Sequence, residues 1–126
     1  MPIIDVCLVA DEIGAIPALA TQRIADQLGS ALGLSPGHLW VRLQIIPAMH
    51  YAENGAKLES GELPAFVRVL HSRPPTGHEL VREAVLISTA VGSTIGRDPA
   101  RIHVEYAPAG EGRMAFGGRL VPPSNS

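Results

Sequence analysis

The sequence predicts an α+β domain in which two βαβ repeats form a four-stranded sheet with both helices on one face. The segment that begins at Gly29 returns at Gly92, 63 residues later, and 63 is half of the 126-residue chain. The same offset places apolar residues on apolar residues, for example Ile24 on Ile87. Each half also carries a strand pattern, a helix pattern and a second strand pattern in that order.

The chain length is that of one domain, and a hydrophobic content of 46% is enough for a folded core. We expect a single domain over residues 1–126, with repeat one covering 1–63 and repeat two covering 64–126.

Four short segments predict the strands. Ile3 to Val9 and Phe66 to His71 open the two halves and are rich in β-branched residues. Leu39 to Ile46 and the segment from Ile102 to Tyr106 close them, and both alternate between an apolar face and a mixed face.

Two longer segments predict amphipathic helices, because apolar residues recur in them at helical spacing. They run from Ile16 to Leu32 and from Gly77 to Ile95. Gly33 and Gly96 suit the helix ends, since glycine enters the left-handed conformation without steric cost.

The second face of the predicted sheet has no helix to cover it. Two right-handed βαβ crossovers put both helices on the apolar face. The uncovered face is too apolar for an ordinary solvated surface and too charged for a monomer core, so we expect other subunits to bury it and pair its charges. Its residues are Asp5, Cys7, Trp40, Arg42, Gln44, Phe66, Arg68, Leu70 and Glu105.

Composition argues against several classes of partner. The formal net charge is -2 without a basic stripe, which disfavours nucleic acid. Cys7 is the single cysteine, so no internal disulfide is expected. We see no signal peptide and no apolar run near the ~20 residues of a membrane span, which predicts a cytoplasmic protein. The histidines are scattered and no phosphate loop is present, so neither a metal nor a cofactor is expected.

Together these residues resemble the tautomerase superfamily, which includes 4-oxalocrotonate tautomerase and macrophage migration inhibitory factor (MIF). The resemblance rests on Met1-Pro2 followed at once by a strand, on the tandem repeat, on the entry from Ser35-Pro36 into a strand, and on the segment Met114-Ala115-Phe116-Gly117-Gly118. It implies a tautomerase/MIF-like fold, a homotrimer, and a small carboxylate substrate.

Pro2 is the candidate catalytic residue. The small proline side chain predicts removal of Met1, which would leave a secondary amine. Desolvation and nearby cations can lower the pKa of an α-amino group from its reference value of about 7.7–8.0 towards neutrality. The alternative is that Pro2 merely opens an edge strand.

Two arginines are candidate substrate-binding residues. The resemblance places Arg73 where the family grips a substrate carboxylate or carbonyl, a task that suits the guanidinium fork. Arg42 resembles a second-strand arginine of the family, although the match needs a one-residue insertion. Arg73 could instead be a solvated strand-end residue, and Arg42 an ion-pair partner of Asp5 or Glu105.

His50 and Tyr51 resemble the His-Phe pair that walls the active site in one-repeat members, where an aromatic wall excludes water. Tyr51 could equally pack a loop over the sheet. The segment from Gly55 to Leu63 is an insertion between the repeats that we expect to shape the pocket mouth.

The predicted activity is keto–enol tautomerisation of a small 2-hydroxy-2,4-dienoate or 2-oxo acid, which makes the chain an isomerase. Alternatives are a hydratase, dehalogenase or decarboxylase that uses the same proline, and a non-catalytic trimeric ligand-binding relative. Decarboxylation is disfavoured because Pro75 stands where the decarboxylating members carry a second arginine.

Overall fold

The structure is a computed structural model that describes residues 2–12, 16 and 18–124. The described elements follow the predicted order, with strand, helix and strand occurring twice before a short C-terminal hairpin. They are β1 (Ile3–Ala10), α1 (Ala20–Ala31), β2 (Trp40–Pro47), β3 (Ala65–Leu70), α2 (Gly77–Ile95), β4 (Ile102–Tyr106), β5 (Ala115–Phe116) and β6 (Arg119–Leu120).

The main sheet has the strand order β2-β1-β3-β4. β1 runs parallel to β2 and β3 runs parallel to β4, while β1 and β3 pair antiparallel in the centre. Ile3 pairs with Trp40 and Ala65 pairs with Ile102, so both parallel partners are 37 residues apart. The predicted α+β fold class is confirmed.

The core lies between the helices and one face of this sheet. Ile4 and Val67 of the central strands pack with Ile24 of α1 and Ile87 of α2, and all four are at most 1% exposed. Burial alternates along β1 and β3, so their intervening side chains point to the opposite face. No helix covers that face among the described residues, which leaves it open within one chain.

Element boundaries agree with the expectations to within one residue, except at the start of α1. α2 has the predicted bounds, and Gly33 and Gly96 adopt φ angles of 66° and 72°, as expected of glycines that end helices. The strand ends differ from the prediction by at most one residue. Neither helix of the described chain combines the length and the apolar character that a membrane crossing needs.

The start of α1 was predicted too early. The helix begins at Ala20 rather than Ile16, and its cap residue Leu19 makes no side-chain capping hydrogen bond. Apolar spacing alone therefore placed the start four residues too far upstream, because no capping side chain marks the true boundary. Pro17 lies outside the described residues.

Candidate active site

Pro2 opens β1 and is buried. Its carbonyl accepts a hydrogen bond from the backbone N–H of Trp40 at 3.2 Å, which fixes it beside the start of β2. On the other side the β1–β3 ladder ends with the pair Ile3–Leu70, so the next residue across from Pro2 is His71. We call this edge of the sheet the Pro2 end. Met1 lies outside the described residues, and its removal stays a prediction.

A C-terminal strap, residues 107–124, crosses the Pro2 end. Backbone hydrogen bonds of 2.8 Å from Gly110 N–H to the His71 carbonyl and 3.0 Å from Glu111 N–H to the Ser72 carbonyl attach it to the end of β3. Further along, the Phe116 ring meets Trp40 on β2 edge-on, with centroids 5.0 Å apart. The strap therefore runs from the β4 edge of the sheet to the β2 edge.

The strap holds Arg73, which follows β3 and lies at the Pro2 end. Its Nε lies 2.8 Å from Oε2 of Glu111. Its Nη2 donates to the Pro122 carbonyl at 2.8 Å, and its Nε donates to Ser124 Oγ at 3.1 Å. The Arg73 side chain remains 52% exposed. The Glu111 carboxylate of the same chain thus binds Arg73, the arginine to which the family resemblance assigns the substrate carboxylate.

Arg42 lies on the open face and pairs with Asp5 of its own chain. The contact is bidentate, with Nε–Oδ1 at 2.6 Å and Nη2–Oδ2 at 2.9 Å. Asp5 raises the pKa of Arg42 through this hydrogen bond and through its charge. Arg68 pairs with Glu105 across β3 and β4 through one contact, from Nη1 to Oε1. The register joins Arg42, Asp5, Arg68 and Glu105 into one row across all four strands, with alternating charge.

An open cavity lies between this row and the strap. Three arginines line it together with a single carboxylate, so its lining carries a net positive charge. Arg113, one of the three, was not identified from the sequence, because no periodic pattern or motif marks it and its place depends on the path of the strap. The lining consists of Ile3, Asp5, Arg42, Arg68, Leu70, Arg113, Met114 and residues 107–110.

His50 and Tyr51 lie at the opposite end of the sheet. They follow β2, which runs parallel to β1, so they lie away from Pro2 of their own chain. Tyr51 donates its hydroxyl to Oε2 of Glu53 at 2.5 Å, and Arg101 Nη2 contacts the same oxygen at 2.6 Å. Burial and the Glu53 bond raise the pKa of Tyr51, while the Tyr51 and Arg101 bonds lower that of Glu53.

The segment from Gly55 to Leu63 also lies at the far end rather than at Pro2. The Ser60 hydroxyl hydrogen-bonds to Asp11, which follows β1. The Leu63 carbonyl accepts from Arg97. In its own chain this segment therefore does not border Pro2. Within the described residues, no group of three or more His, Cys, Asp or Glu is placed to hold a metal ion.

Comparison with known proteins identifies the fold. No protein-family model matches the sequence, and no curated protein sequence matches it significantly. A fused 4-OT symmetric trimer matches 94% of this chain over 94% of its own length, with a TM-score of 0.70 at 18% identity. MIF from Trichinella spiralis matches 94% over 98% of its length, with a TM-score of 0.70 at 10% identity.

A third solved structure, N1 of the cis-3-chloroacrylic acid dehalogenase family, matches 94% of this chain over 83% of its own length, with a TM-score of 0.69 at 17% identity. The chain has the tautomerase superfamily fold. In this tautomerase fold, one chain brings Pro2 and Arg73 to the same end of the sheet. Arg42 lies on the open face beside the cationic cavity, whereas His50 and Tyr51 lie at the far end.

Proposed function

We propose that this chain is a keto–enol tautomerase that acts on a small 2-hydroxy-2,4-dienoate or 2-oxo acid, with the amine of Pro2 as general acid and base. One observation carries the proposal: Pro2 opens β1 at the end of the sheet that also holds Arg73 and borders the cavity with three arginines. A secondary amine at the end of the sheet that carries these arginines suits proton transfer on an anionic substrate.

The amine exists once Met1 is removed. In its neutral form it takes a proton from the enol hydroxyl, or from the carbon next to the carbonyl, and returns it to another carbon. Pro2 is buried, and burial disfavours the charged form of an amine. Arg73 and Arg42 bind the acid group, and they stabilise the negative charge that develops on the enolate oxygen.

A homotrimer completes this proposal. The fused 4-OT of the same fold is a symmetric trimer, and the open face of this chain carries half-exposed Trp40 and Phe66 beside the alternating charges. Because His50 and Tyr51 lie far from Pro2 in their own chain, they can wall an active site only in a neighbouring copy. The expected cytoplasmic location stays a prediction.

A second candidate is addition of water to an unsaturated or halogenated acid, with Pro2 acting as the general acid. It requires a carboxylate to activate water, and Glu111 is a carboxylate at the Pro2 end, 2.8 Å from Arg73. A non-catalytic trimeric relative, which keeps the fold without using the amine, is a third possibility.

The deciding experiment combines intact mass, solution mass and rate. We expect loss of Met1, a trimer, and ketonisation of 2-hydroxymuconate or of the enol of phenylpyruvate at a rate that collapses in Pro2→Ala. A trimer that has lost Met1 and whose ketonisation rate is unchanged by Pro2→Ala would refute the proline mechanism and favour the ligand-binding relative. Turnover of a haloacrylate that depends on Glu111, without ketonisation, would favour the second candidate.

A further inference from the structure

A half-buried polar cluster lies between the sheet and α2, at the Pro2 end. The Tyr106 hydroxyl donates to Oε2 of Glu83 at 2.8 Å, and Nε2 of His71 lies 2.9 Å from the same oxygen. The side chains of His71 and Glu83 are each 13% exposed. The rings of His71 and Tyr106 lie nearly parallel, with an angle of 11° between them. Three elements thus contribute one side chain each to a single contact.

The strand register places this cluster against Pro2. The β1–β3 ladder pairs Ile3 with Leu70, so Pro2 and His71 are the next residues across. Side chains alternate along both strands, and the buried Ile4 and Val69 put Pro2 and His71 on the helix-facing side. Directly opposed residues of antiparallel strands have Cβ atoms about 4.5–5.5 Å apart. His71 is therefore the titratable side chain that faces Pro2 across the ladder.

Hydrogen bonding assigns the roles in the cluster. Burial, and then the bond to Glu83, raise the pKa of Tyr106 far above its ordinary value, so the tyrosine keeps its proton and donates it. Glu83 is then the acceptor, and an ionised carboxylate accepts from both neighbours. With Glu83 as the acceptor, the His71 tautomer that carries its hydrogen on Nε2 donates to the carboxylate. Glu83 thus supplies the carboxylate of this cluster.

We propose that Glu83, held behind His71 by Tyr106, is a positioning residue whose charge sets the pH at which the Pro2 amine loses its proton. The inference rests on the proposed function for its catalytic meaning, because an amine must exist at Pro2. A nearby negative charge favours the ammonium form and so opposes the effect of burial on the amine. The cluster keeps the amine able to bind the proton that it takes from the substrate.

The other charges at this end modify the field less. From the end of β3 and the strap, Arg73 and Glu111 form an ion pair at 2.8 Å, so their charges largely cancel. α2 contributes Glu83, and β4 contributes Tyr106, which is neutral. The residues of β2 and of the preceding loop that lie next to Pro2, Leu39 and Trp40, carry no charge. On the open face, Arg42 pairs with Asp5 and Arg68 pairs with Glu105, and Arg113 lines the cavity under the strap. On the helix-facing side, Glu83 is the carboxylate that contacts His71, the residue across from Pro2.

Two substitutions separate charge from shape. Glu83→Gln keeps an oxygen for both hydrogen bonds but removes the charge, whereas Glu83→Asp keeps the charge and shortens the side chain. Glu79→Gln is the matched control, because Glu79 lies one turn earlier on α2, is exposed and pairs with Arg82. The readouts are the 15N shift of Pro2 in proline-labelled protein against pH, and the pH profile of kcat/KM.

We expect the titration of Pro2 and the acid limb of kcat/KM to move down by about 0.5–1 pH unit in Glu83→Gln. Both should stay near the native value in Glu83→Asp and Glu79→Gln. A purely structural role would reverse the order of the Gln and Asp variants, and that order, or an unmoved Gln variant, would overturn the inference. If Glu83→Gln fails to fold, His71→Gln serves instead, because it keeps the charge of Glu83 and an N–H donor beside it. The titration of Pro2 should then stay in place, and a downward shift would overturn the inference.

The two readouts separate the inference from the proposed function. A shift in the 15N titration without any measurable turnover supports the field of Glu83 and contradicts the tautomerase proposal. Turnover that depends on Pro2 without a shift supports the tautomerase and overturns the role of Glu83. A retained Met1 leaves an amide at Pro2 and refutes both.

Discussion

Each end of the sheet has a buried proline directly before a strand, with the same backbone hydrogen bonding. Pro2 precedes β1 and Pro64 precedes β3, and both residues are buried. Each proline carbonyl accepts a hydrogen bond from a neighbouring strand, from Trp40 N–H at 3.2 Å at one end and from Val9 N–H at 3.1 Å at the other. The backbone therefore offers two similar positions for a proline at opposite edges of one sheet.

The chemistry of these two ends differs. Pro64 lies within the chain, so its nitrogen is an amide without a basic lone pair. Arg73 follows β3, whose C-terminal end lies beside Pro2. Asp11 follows β1, whose C-terminal end lies beside Pro64. At the far end Arg97 donates to the Leu63 carbonyl, and Arg101 pairs with Glu53. The fold thus supplies a buried proline position at both ends of the sheet, and under the proposed function only Pro2 becomes an amine, once Met1 is removed.

Substituting each proline gives the largest expected contrast. Pro2→Ala should lower kcat for ketonisation by at least about 100-fold, because the secondary amine is the acid/base group. Pro64→Ala should keep kcat within about threefold of the native value and lower the free energy of unfolding by about 1–2 kcal/mol, through lost burial. Steady-state rates and urea unfolding measure the two effects. A comparable loss of kcat in Pro64→Ala would break the distinction between the ends.

The arginines give the next contrast. Arg73→Ala should raise KM for a carboxylate substrate by about 10- to 100-fold, since it removes a charge-assisted, two-pronged contact. Arg97→Ala should leave KM unchanged and lower the free energy of unfolding by about 1 kcal/mol, because it loses a backbone hydrogen bond. Equal effects of the two variants on KM would argue against a substrate contact for Arg73.

Glu111 sharpens the role of Arg73. Glu111→Gln removes the internal carboxylate that competes for the guanidinium, so KM should fall by about two- to fivefold, the size expected of a half-exposed ion pair. Glu79→Gln is again the control. A rise in KM would mean that Glu111 orients Arg73 for the substrate instead of competing with it.

The smallest effect is expected at the far end, in the Tyr51–Glu53–Arg101 cluster. The pKa of Glu53 is lowered in the folded chain, so its contribution to stability is present above its unfolded pKa and lost as pH falls through its folded pKa. Glu53→Gln should therefore lower Tm slightly at pH 7, and the two Tm values should converge below about pH 4. A difference that persists in acid would show that packing, rather than charge, links the three side chains.

The sequence was a good guide to the strands and to α2. In α2 the apolar spacing is regular, and Gly96 marks the C-terminus by adopting a φ of 72°. The start of α1 was missed because Leu19 caps it without a side-chain hydrogen bond. Alternation in β2 also identified its exposed and its apolar side chains correctly.

The candidate site was less predictable, because its contacts join residues far apart in the chain. Arg73 meets Glu111 only because backbone bonds attach the strap to the end of β3. Strand direction could have excluded Tyr51 from the Pro2 end of its own chain, since a residue after β2 must lie at the far end of a parallel partner. Arg113 carries no pattern that could have revealed it.

The row of alternating charges bears on why two units are joined in one chain. Asp5 faces Arg68 at the centre of the sheet, and the bonded pairs Arg42–Asp5 and Arg68–Glu105 have inverted polarity. Two identical units related by a twofold axis would have to place the same residue on both sides of that axis, and like charges directly opposed are destabilising. A covalent fusion lifts this symmetry constraint, because each half can then accumulate its own substitutions. The joined chain can therefore match opposite charges across its own pseudo-axis.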